Sequence, residues 1–252
     1  MFQTMTMPPT LDPARHALFL DFDGTLVELR DDPQAVAIDA AELDRLVELQ
    51  SRLSGALAVL SGRRIADLDR FLAPLRFAAA GVHGLERREA AEDDVVHLAG
   101  PSILDPVREA LRQPLEAEEG LRLEDKGTAL VVHYRGRSEL KTRATVIVED
   151  AVRGVPDLAV MHGHDIVEIH VAGMDKGRAL ASFMTHEPFL GRVPVYLGDD
   201  TTDEFAFAEV ARLGGVGVKV GPGESAASHR LAAVDSVHRW LALEADAGGE
   251  AN

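Results

Sequence analysis

The sequence contains no cysteine, so disulfide bonds and thiolate chemistry are excluded. It is also short of basic residues, because 26 lysines and arginines stand against 42 aspartates and glutamates, for a formal net charge of -16. A chain without a basic surplus is poorly suited to neutralise a nucleic-acid backbone or to bind an anionic membrane surface. The composition therefore argues against both kinds of partner.

Long apolar runs are missing as well. None approaches the length of a bilayer span, and the first sixteen residues lack the positive and apolar segments of a signal peptide. We therefore expect a soluble, cytoplasmic enzyme that works as a monomer on a small molecule. With 252 residues, of which 46% are hydrophobic, the chain can bury a sizeable core as one large domain or two modest ones.

The stretch Ala17–Leu26 combines a short apolar run with two carboxylates. Its short apolar run is rich in aromatic and branched side chains and ends in Asp21-x-Asp23-Gly24-Thr25, where the Asp-Gly pair is a turn signal. The pattern predicts a buried strand that delivers two carboxylates to its end, which is where open α/β sheets bind ligands. The alternative is an ordinary strand followed by a solvated acidic turn.

Strands and helices alternate in the first 99 residues and again from residue 174. Buried strands are predicted at 17–20, 56–60, 77–80, 193–197 and 216–220. Helices are predicted after an N-cap at Asp39 and at 65–71, 176–184, 202–212, 225–232 and 236–243. This rhythm is typical of a parallel sheet with crossover helices, so we expect a Rossmann-like α/β core.

The pattern changes between residues 100 and 173. Helices are predicted at 103–115 and 142–152, and short alternating strands at 121–124, 128–135, 158–161 and 165–171. Several antiparallel strands with two helices make an α+β domain. We therefore predict a core formed by residues 1–99 and 174–252, with a smaller α+β domain inserted at 100–173.

Four short segments carry the candidate chemistry, and the predicted core places each at the carboxyl end of a strand or the start of a helix. They are Asp21-x-Asp23-Gly-Thr25, Ser61-Gly-Arg63, Lys176-Gly177 and Gly198-Asp199-Asp200-Thr201-Thr202-Asp203-Glu204. Each has a purely structural alternative when taken alone. Ser61 fits a helix N-cap, Lys176 a solvated lysine, and Thr201-x-x-Glu204 a capping box.

Together these segments bring five carboxylates to one sheet edge: Asp21, Asp23, Asp199, Asp200 and Asp203. Such a cluster is self-repelling and persists only where a cation offsets the repulsion. Donors that are all oxygen favour Mg²⁺ over zinc or iron. We therefore expect Mg²⁺ as the cofactor.

The order and the residues of the four segments resemble those of the haloacid dehalogenase (HAD) superfamily of phosphotransferases. The resemblance extends from Ala17 to about Leu241. Within it the chain resembles the trehalose-6-phosphate phosphatases. The motifs that carry this resemblance are Gly198–Glu204, Val82-His-Gly-Leu-Glu86, Leu123-Glu-Asp-Lys-Gly127, His133-Tyr-Arg135, and Val167-Glu-Ile169 before Asp175-Lys-Gly177. One departure is His170-Val171, where the family usually has a basic residue and proline. The resemblance implies a HAD core with an α+β cap, and hydrolysis of trehalose 6-phosphate in trehalose biosynthesis.

The resemblance also implies roles for the core residues. Asp21 would attack phosphorus and form an aspartyl-phosphate, while Asp23 would protonate the leaving sugar oxygen and later take a proton from water. Lys176 would neutralise charge on the phosphoryl oxygens, and Thr25 and Ser61 would hydrogen-bond them. Metal binding would involve Asp21, the backbone carbonyl of Asp23, and Asp199, with Asp200 or Asp203 orienting either metal waters or the lysine.

Other residues are assigned to the substrate by position or resemblance. Arg63 follows the Ser61 turn and is predicted to contact the phosphate or the sugar; the alternative is an exposed arginine at a helix start. Glu124, Lys126, Arg135 and Glu168 would bind hydroxyls of the distal glucose, unless they form a solvated charged face. His83 and His133 are left out of the site, because a lone histidine on a strand is more often structural.

Two alternatives to this function stay open at the sequence level. One is another capped sugar phosphatase, of the sucrose-phosphate or mannosyl-phosphoglycerate type. The other is a non-catalytic sugar-phosphate sensor that has kept the fold. The presence of Asp21, Asp23, Lys176 and Asp199 argues against the sensor, since binding alone needs no nucleophile.

Overall fold

The computed structural model describes residues 7–30, 32–163 and 165–247. The chain divides into two compact units, one formed by Met1–Val96 with Asp175–Asn252 and the other by His97–Met174. The sequence-based boundaries, after residues 99 and 173, lie within three residues of these, and the outermost residues of both termini fall outside the described residues.

The larger unit is built on one sheet with the strand order β12-β11-β10-β1-β2-β3-β4-β5. The strands are β1 (His16–Leu20), β2 (Leu57–Leu60), β3 (Ala78–Gly81), β4 (Glu86–Arg88), β5 (Val96–His97), β10 (Val193–Gly198), β11 (Val216–Val220) and β12 (His229–Leu231). The six strands from β12 to β3 pair in parallel, and β4 pairs antiparallel with β3. The predicted parallel α/β sheet is confirmed.

Helices connect these strands. They are α1 (Ala40–Arg52), α2 (Ile65–Phe71), α5 (Lys176–Phe183), α6 (Glu204–Arg212) and α7 (Val234–Asp246). The helix α1 packs beside α7, and α5 packs beside α6. Asp39 does occupy the N-cap position of α1, but its side chain makes no capping hydrogen bond.

The core of the larger unit forms around β1, whose residues 17–20 are fully buried. Strands covered on both faces read as continuous apolar runs, which is why this segment shows no polar alternation. Phe19 stacks on Phe189 at a centroid distance of 5.2 Å and lies 6.0 Å from Phe183. These aromatic contacts fix α5 against the strand that precedes Asp21.

The smaller unit is an antiparallel sheet with the order β6-β7-β9-β8 and two helices. Its elements are α3 (Asp105–Glu116), β6 (Arg122–Asp125), β7 (Ala129–His133), α4 (Lys141–Val152), β8 (Leu158–Gly163) and β9 (Ile166–Val171). One face of the sheet, with Leu130, Val132, Val167 and Ile169, belongs to a core shared with both helices. The register leaves Glu124, Val131 and Glu168 side by side on the opposite face.

One predicted element is wrong. Residues 225–232 were expected to form a helix, but His229–Leu231 is the edge strand β12, which pairs in parallel with β11. The segment before it is a loop whose Ala226 N–H donates to Glu204 Oε2 at 2.8 Å. This contact spans 22 residues, so local sequence periodicity does not reveal it.

Candidate active site

The candidate site lies where β1, β2 and β10 end. Because β1 pairs with β2 on one side and β10 on the other, it is the strand at which the chain order of the sheet reverses. Ligands of open α/β sheets bind at the carboxyl edge beside such a strand. Three of the four segments predicted to act together follow these strands, and the fourth, Lys176-Gly177, begins α5.

Asp21 continues directly from β1. Its N–H donates to the carbonyl oxygen of Leu197 on β10 at 2.9 Å, which holds its backbone against the neighbouring strand. The chain then turns back, since the N–H groups of Leu26 and Val27 both donate to the carbonyl of Phe22. The turn fixes Asp21 as a buried residue and leaves Asp23 partly exposed.

Gly24 supplies the conformation that this turn needs. Its φ is +76°, in the left-handed region, and a Cβ at this position would lie 2.1 Å from Asp199 Oδ2. The glycine therefore allows the acidic residue after β10 to lie directly against the turn after β1. This close approach explains why glycine follows Asp23 in the Asp-Gly pair.

Lys176, the first residue of α5, joins two of the carboxylates. Its Nζ donates to Asp21 Oδ1 at 2.7 Å and to Asp203 Oδ1 at 2.6 Å, and the side chain is buried. Burial alone lowers the pKa of this ammonium, but the charges of Asp203 and Asp21 more than offset it and raise the pKa above its usual range. Lys176 is therefore a permanent cation of the site, and the alternative of a solvated lysine is excluded.

Asp203 is the most fully hydrogen-bonded of the acids. Its Oδ1 also accepts from the hydroxyl of Tyr196, and its Oδ2 accepts from the N–H of Asp200 at 2.8 Å. Burial raises the pKa of Asp203, but Lys176 and these hydrogen bonds reverse the shift and lower it. Asp200 in turn accepts from the N–H of Thr201 at 2.7 Å, so both acids take part in the start of α6.

Asp21 and Asp199 are in a different electrostatic state. Burial raises the pKa of Asp21 well above its usual range, opposed by Lys176 and reinforced by Asp203 and Asp199. Burial, together with the charge of Asp203, raises the pKa of Asp199 to about 6. Both carboxylates are therefore held where their negative charge is unfavourable in the absence of a further cation.

The geometry fits such a cation. Ligand atoms of Asp21, Asp199 and Asp203 lie within 4.8 Å of one another, and Asp199 Oδ1 is buried without a hydrogen-bond partner. An oxygen donor set of this kind suits a hard divalent ion such as Mg²⁺. Asp203 has both oxygens engaged by the protein, so Asp21 and Asp199 are the better placed ligands.

Hydroxyl groups occupy two further positions of the site. Ser61 follows β2, is buried, and accepts from the N–H of Arg63 at 3.1 Å. Thr25 is fully buried in the turn after β1, and its Oγ1 has no hydrogen-bond partner. Thr25 lies in the same turn as Asp21 and Asp23, and Ser61 lies in the loop that follows the neighbouring strand β2.

Arg63, which the sequence assigns to the substrate, contacts Asp23. Its guanidinium binds both oxygens of Asp23, through Nε and Nη2, at 2.6 Å each. The sequence gives no indication of this pair, because the two residues are 40 positions apart.

The residues assigned to the sugar lie in the smaller unit, mostly on the face of its sheet opposite the helices. On that face, Glu124 hydrogen-bonds His133 at 2.7 Å, and Lys126 Nζ lies 3.5 Å from Glu168 Oε2. His170 Nδ1 lies 3.8 Å from Glu168 Oε1. The hydrogen bond to His133 lowers the pKa of Glu124.

Arg135, the fourth member of the predicted sugar-binding set, is exposed beyond the end of β7. Sequence reasoning had left His133 out, although its alternation with Val131 on β7 places it on the polar face. Tyr196 and Lys219 were missed as well. Lys219 is a buried lysine on the apolar strand β11 whose Nζ donates to the carbonyl oxygen of Asp199, and a lysine within an apolar run was the available signal.

The site thus combines a parallel sheet, two carboxylates after β1, a buried lysine at the start of α5 and an acidic loop after β10. The fold is shared with a HAD-superfamily phosphatase from Bacteroides thetaiotaomicron at a TM-score of 0.61 and 16% identity, covering 94% of this chain and 97% of that one. The family model for trehalose-phosphatase matches residues 19–236, so the chain belongs to the trehalose-phosphatase family.

Two relatives support this placement. The chain is 40% identical to a trehalose-6-phosphate phosphatase of Escherichia coli (strain K12) over 244 residues, which is 96% of this chain and 91% of that protein. A solved trehalose-6-phosphate phosphatase related protein superimposes with a TM-score of 0.79 at 27% identity, covering 94% of this chain and all of the other. No described helix has both the length and the apolar character needed to cross a membrane.

Proposed function

We propose that the protein hydrolyses trehalose 6-phosphate to trehalose and inorganic phosphate, in trehalose biosynthesis. The observation that carries the proposal is the buried Lys176, bonded at once to Asp21 and Asp203 beside Asp199. A site that only bound sugar phosphate would need cations and not a buried carboxylate aimed at the ligand. Family membership and the E. coli relative favour this substrate over the sucrose-phosphate and mannosyl-phosphoglycerate alternatives and over a sensor.

In the first half-reaction a carboxylate oxygen of Asp21 attacks phosphorus. The bond between phosphorus and the sugar oxygen breaks, and Asp23 donates a proton to that oxygen, so trehalose leaves as an alcohol. The phosphoryl group is then carried on Asp21. Lys176 offsets the charge on the phosphoryl oxygens, and the Thr25 and Ser61 hydroxyls donate hydrogen bonds to them.

In the second half-reaction the now ionised Asp23 takes a proton from water, whose oxygen attacks phosphorus. The bond to Asp21 breaks, which regenerates its carboxylate and releases inorganic phosphate. Asp203 orients Lys176 throughout, since both of its oxygens are already held by the protein. Each residue ends in the state in which it began, because Asp23 recovers from water the proton that it gave to the sugar oxygen.

Mg²⁺ is the cofactor that we propose for this site. Asp21, Asp199 and the backbone carbonyl of Asp23 would hold it, with Asp200 and Asp203 as further candidates. When bound, the ion supplies positive charge that brings the attacking carboxylate and the phosphoryl group together. The unfavourable burial of the Asp21 and Asp199 charges supports this assignment.

The polar face of the smaller sheet, opposite its helices, is proposed to bind the hydroxyl groups of the sugar and so to select the substrate. Glu124, Lys126 and Glu168 are charged side chains grouped on one face, where hydroxyl groups can both donate to carboxylates and accept from an ammonium. Arg135 keeps its predicted role as a further sugar contact. The cytoplasmic location and the monomeric state also stay predictions, and light scattering tests the second.

The direct test is product formation. Purified protein with Mg²⁺ and trehalose 6-phosphate should release trehalose and phosphate in equal amounts. Asp21→Asn should abolish this while still binding the substrate, because an amide is a poor nucleophile of nearly the same shape. Calorimetry measures the binding. Substantial hydrolysis by Asp21→Asn would mean that water attacks phosphorus without an aspartyl-phosphate.

A further inference from the structure

All three guanidinium nitrogens of Arg63 donate hydrogen bonds, and two of them bind the acid–base residue Asp23. Nε and Nη2 donate to the two oxygens of Asp23 at 2.6 Å each, and Nη1 donates to the carbonyl oxygen of Pro33 at 2.8 Å. The paired geometry is the fork that makes arginine bind carboxylates with a defined orientation.

Two aromatic rings complete the setting of the guanidinium. Its carbon lies 4.8 Å from the centroid of the Phe71 ring and 5.6 Å from that of Phe22, the residue between the two catalytic aspartates. The Arg63 side chain is only 13% exposed. A cation packed in this way on aromatic faces has little freedom to rotate.

The backbone of Arg63 is fixed as well. Its N–H donates to Ser61 Oγ at 3.1 Å, and its carbonyl accepts from the N–H of Val82, after β3, at 2.9 Å. A Cβ on Gly81 would lie 2.8 Å from that carbonyl oxygen, so the two loops pack as closely as glycine permits. The position of the fork is therefore set by the ends of β2 and β3.

We propose that Arg63 is a positioning residue for Asp23 and does not itself bind the phosphate or the sugar. It holds the carboxylate so that an oxygen faces the sugar oxygen in the first half-reaction and the water in the second. A carboxylate has about four lone-pair sites, so each oxygen keeps a free site beyond the fork. This inference rests on the proposed function, because it presumes the acid–base role of Asp23.

The orientation matters because Asp23 lies at the start of a turn and is 28% exposed at its side chain. Without the fork it would populate several rotamers, and only some would reach the reacting oxygen. Misplacement by about 1 Å is enough to cost about a hundredfold in rate. The loss would fall on proton transfer and not on substrate affinity.

The test compares two substrates in Arg63→Met, Arg63→Lys and Asp23→Asn, with Mg²⁺ present. Trehalose 6-phosphate loses a sugar alkoxide, which needs a proton, whereas 2,4-dinitrophenyl phosphate loses a stable phenolate, which does not. Arg63→Met should lower kcat for trehalose 6-phosphate by about 10- to 100-fold with KM unchanged. The pre-steady-state burst of dinitrophenolate should keep its rate within about twofold, while steady-state turnover falls, since the second half-reaction still needs Asp23.

Two further comparisons separate positioning from a structural role. In an Asp23→Asn background, Arg63→Met should add less than about a twofold loss, because both changes remove the same function. Arg63→Lys keeps the charge but loses the fork, so a loss of about tenfold is expected. The matched control is Arg70→Met, since Arg70 stacks on the same Phe71 ring at 4.5 Å and is 54% exposed at its side chain. Arg70→Met should leave the kinetics of trehalose 6-phosphate and of 2,4-dinitrophenyl phosphate unchanged.

A raised KM for trehalose 6-phosphate at unchanged kcat would overturn the inference in favour of a substrate contact. Additive losses in the double variant, or an equal slowing of the dinitrophenolate burst, would overturn it in favour of a general structural role. If Arg63→Met does not fold, the test passes to Arg63→Lys, and full activity of that variant on trehalose 6-phosphate would overturn the inference. Failure of the wild type on trehalose 6-phosphate alone would instead reject the proposed function, and the double-variant comparison on dinitrophenyl phosphate would still decide the role of Arg63.

Discussion

Asp199 differs from the other acids of the site in what it contacts. Lys176 donates to Asp21 and Asp203, whereas Asp199 Oδ1 is buried without a hydrogen-bond partner. The turn at Gly24 brings Asp199 within reach of the residues that follow β1. The placement of one carboxylate therefore depends on the absence of a side chain at Gly24 in the facing turn.

Gly24→Ala tests this dependence. The new methyl group would overlap Asp199 Oδ2, so the carboxylate must move, and we expect a Mg²⁺ requirement raised by about tenfold or more together with lower turnover. Titration of activity against Mg²⁺ concentration, with Mg²⁺-dependent melting as a second readout, measures the change.

Gly191→Ala is the control for this variant. Gly191 has nearly the same positive φ, +77°, and a Cβ there meets no atom within 4 Å. Both variants should lose roughly 1–2 kcal/mol of stability from the left-handed conformation, but only Gly24→Ala should change the Mg²⁺ requirement. Equal kinetic effects in the two would show that backbone strain, and not contact with Asp199, is responsible.

At the scale of single residues, the sequence predicts which residues belong to the site better than it predicts their hydrogen-bond partners. Asp21, Ser61 and Asp199 follow strands and Lys176 begins a helix, as the motifs predict, because strand ends and helix starts follow from local patterns. The hydrogen bonds from Tyr196 to Asp203 and from Arg63 to Asp23 depend on how separate strands come together. Such long-range contacts leave no periodic signal.

Elements with a strong local sequence pattern were likewise predictable. The apolar strand β1 and the amphipathic helix α4 match their expected positions closely. By contrast, β4 is Glu-Arg-Arg, a segment without a strand pattern, in which Arg88 is buried by its pairing with Asp69 at 2.7 Å. An ion pair of this kind allows a charged residue to lie in a sheet, and it is visible only in three dimensions.

The polar face of the β6-β7-β9-β8 sheet gives the next prediction. Glu124→Ala, Lys126→Ala and Glu168→Ala should each lower kcat/KM for trehalose 6-phosphate by about 10- to 100-fold, since a charge-assisted hydrogen bond contributes roughly 1.5–3 kcal/mol. Hydrolysis of p-nitrophenyl phosphate, which has no sugar, should stay unchanged. Steady-state kinetics on both substrates makes the comparison.

Glu139→Ala provides the control, because Glu139 belongs to the same unit and its side chain is 62% exposed. It should leave both substrates unaffected. If the three variants on the polar face behave like Glu139→Ala, that face is merely solvated, and the identity of the sugar must be read elsewhere.

At the scale of the whole molecule the formal charge of -16 sets a requirement. A phosphate ester is repelled by the overall field, so local cations must attract it. Lys176 is one, and the proposed Mg²⁺ is the other. Relief of repulsion between Asp21 and Asp199 also links metal binding to stability.

Removal of divalent ions with a chelator should therefore abolish activity. Mg²⁺ should restore activity better than Ca²⁺, which tolerates larger and less regular coordination. At a Mg²⁺ concentration about 100 times its Kd, the added stability is about 2.7 kcal/mol, so Tm should rise by roughly 5–10 °C. Calorimetric melting with and without Mg²⁺ measures this.

Asp199→Asn supplies the comparison for that experiment. It removes a proposed ligand charge while keeping the shape of the side chain, so most of the Mg²⁺-dependent rise in Tm should disappear. A full rise in this variant would place the ion elsewhere, and full activity in chelator would reject the metal requirement.

The most direct test of the central claim is kcat/KM for phosphate release from a panel of sugar phosphates at saturating Mg²⁺. The panel contains trehalose 6-phosphate, sucrose phosphate, mannosyl phosphoglycerate and glucose 6-phosphate. Trehalose 6-phosphate should exceed each of the others by about a hundredfold, because a site built to bond particular hydroxyls rejects sugars that leave its charges unpaired. An equal or higher value for another member of the panel, or no release from trehalose 6-phosphate, would contradict the account.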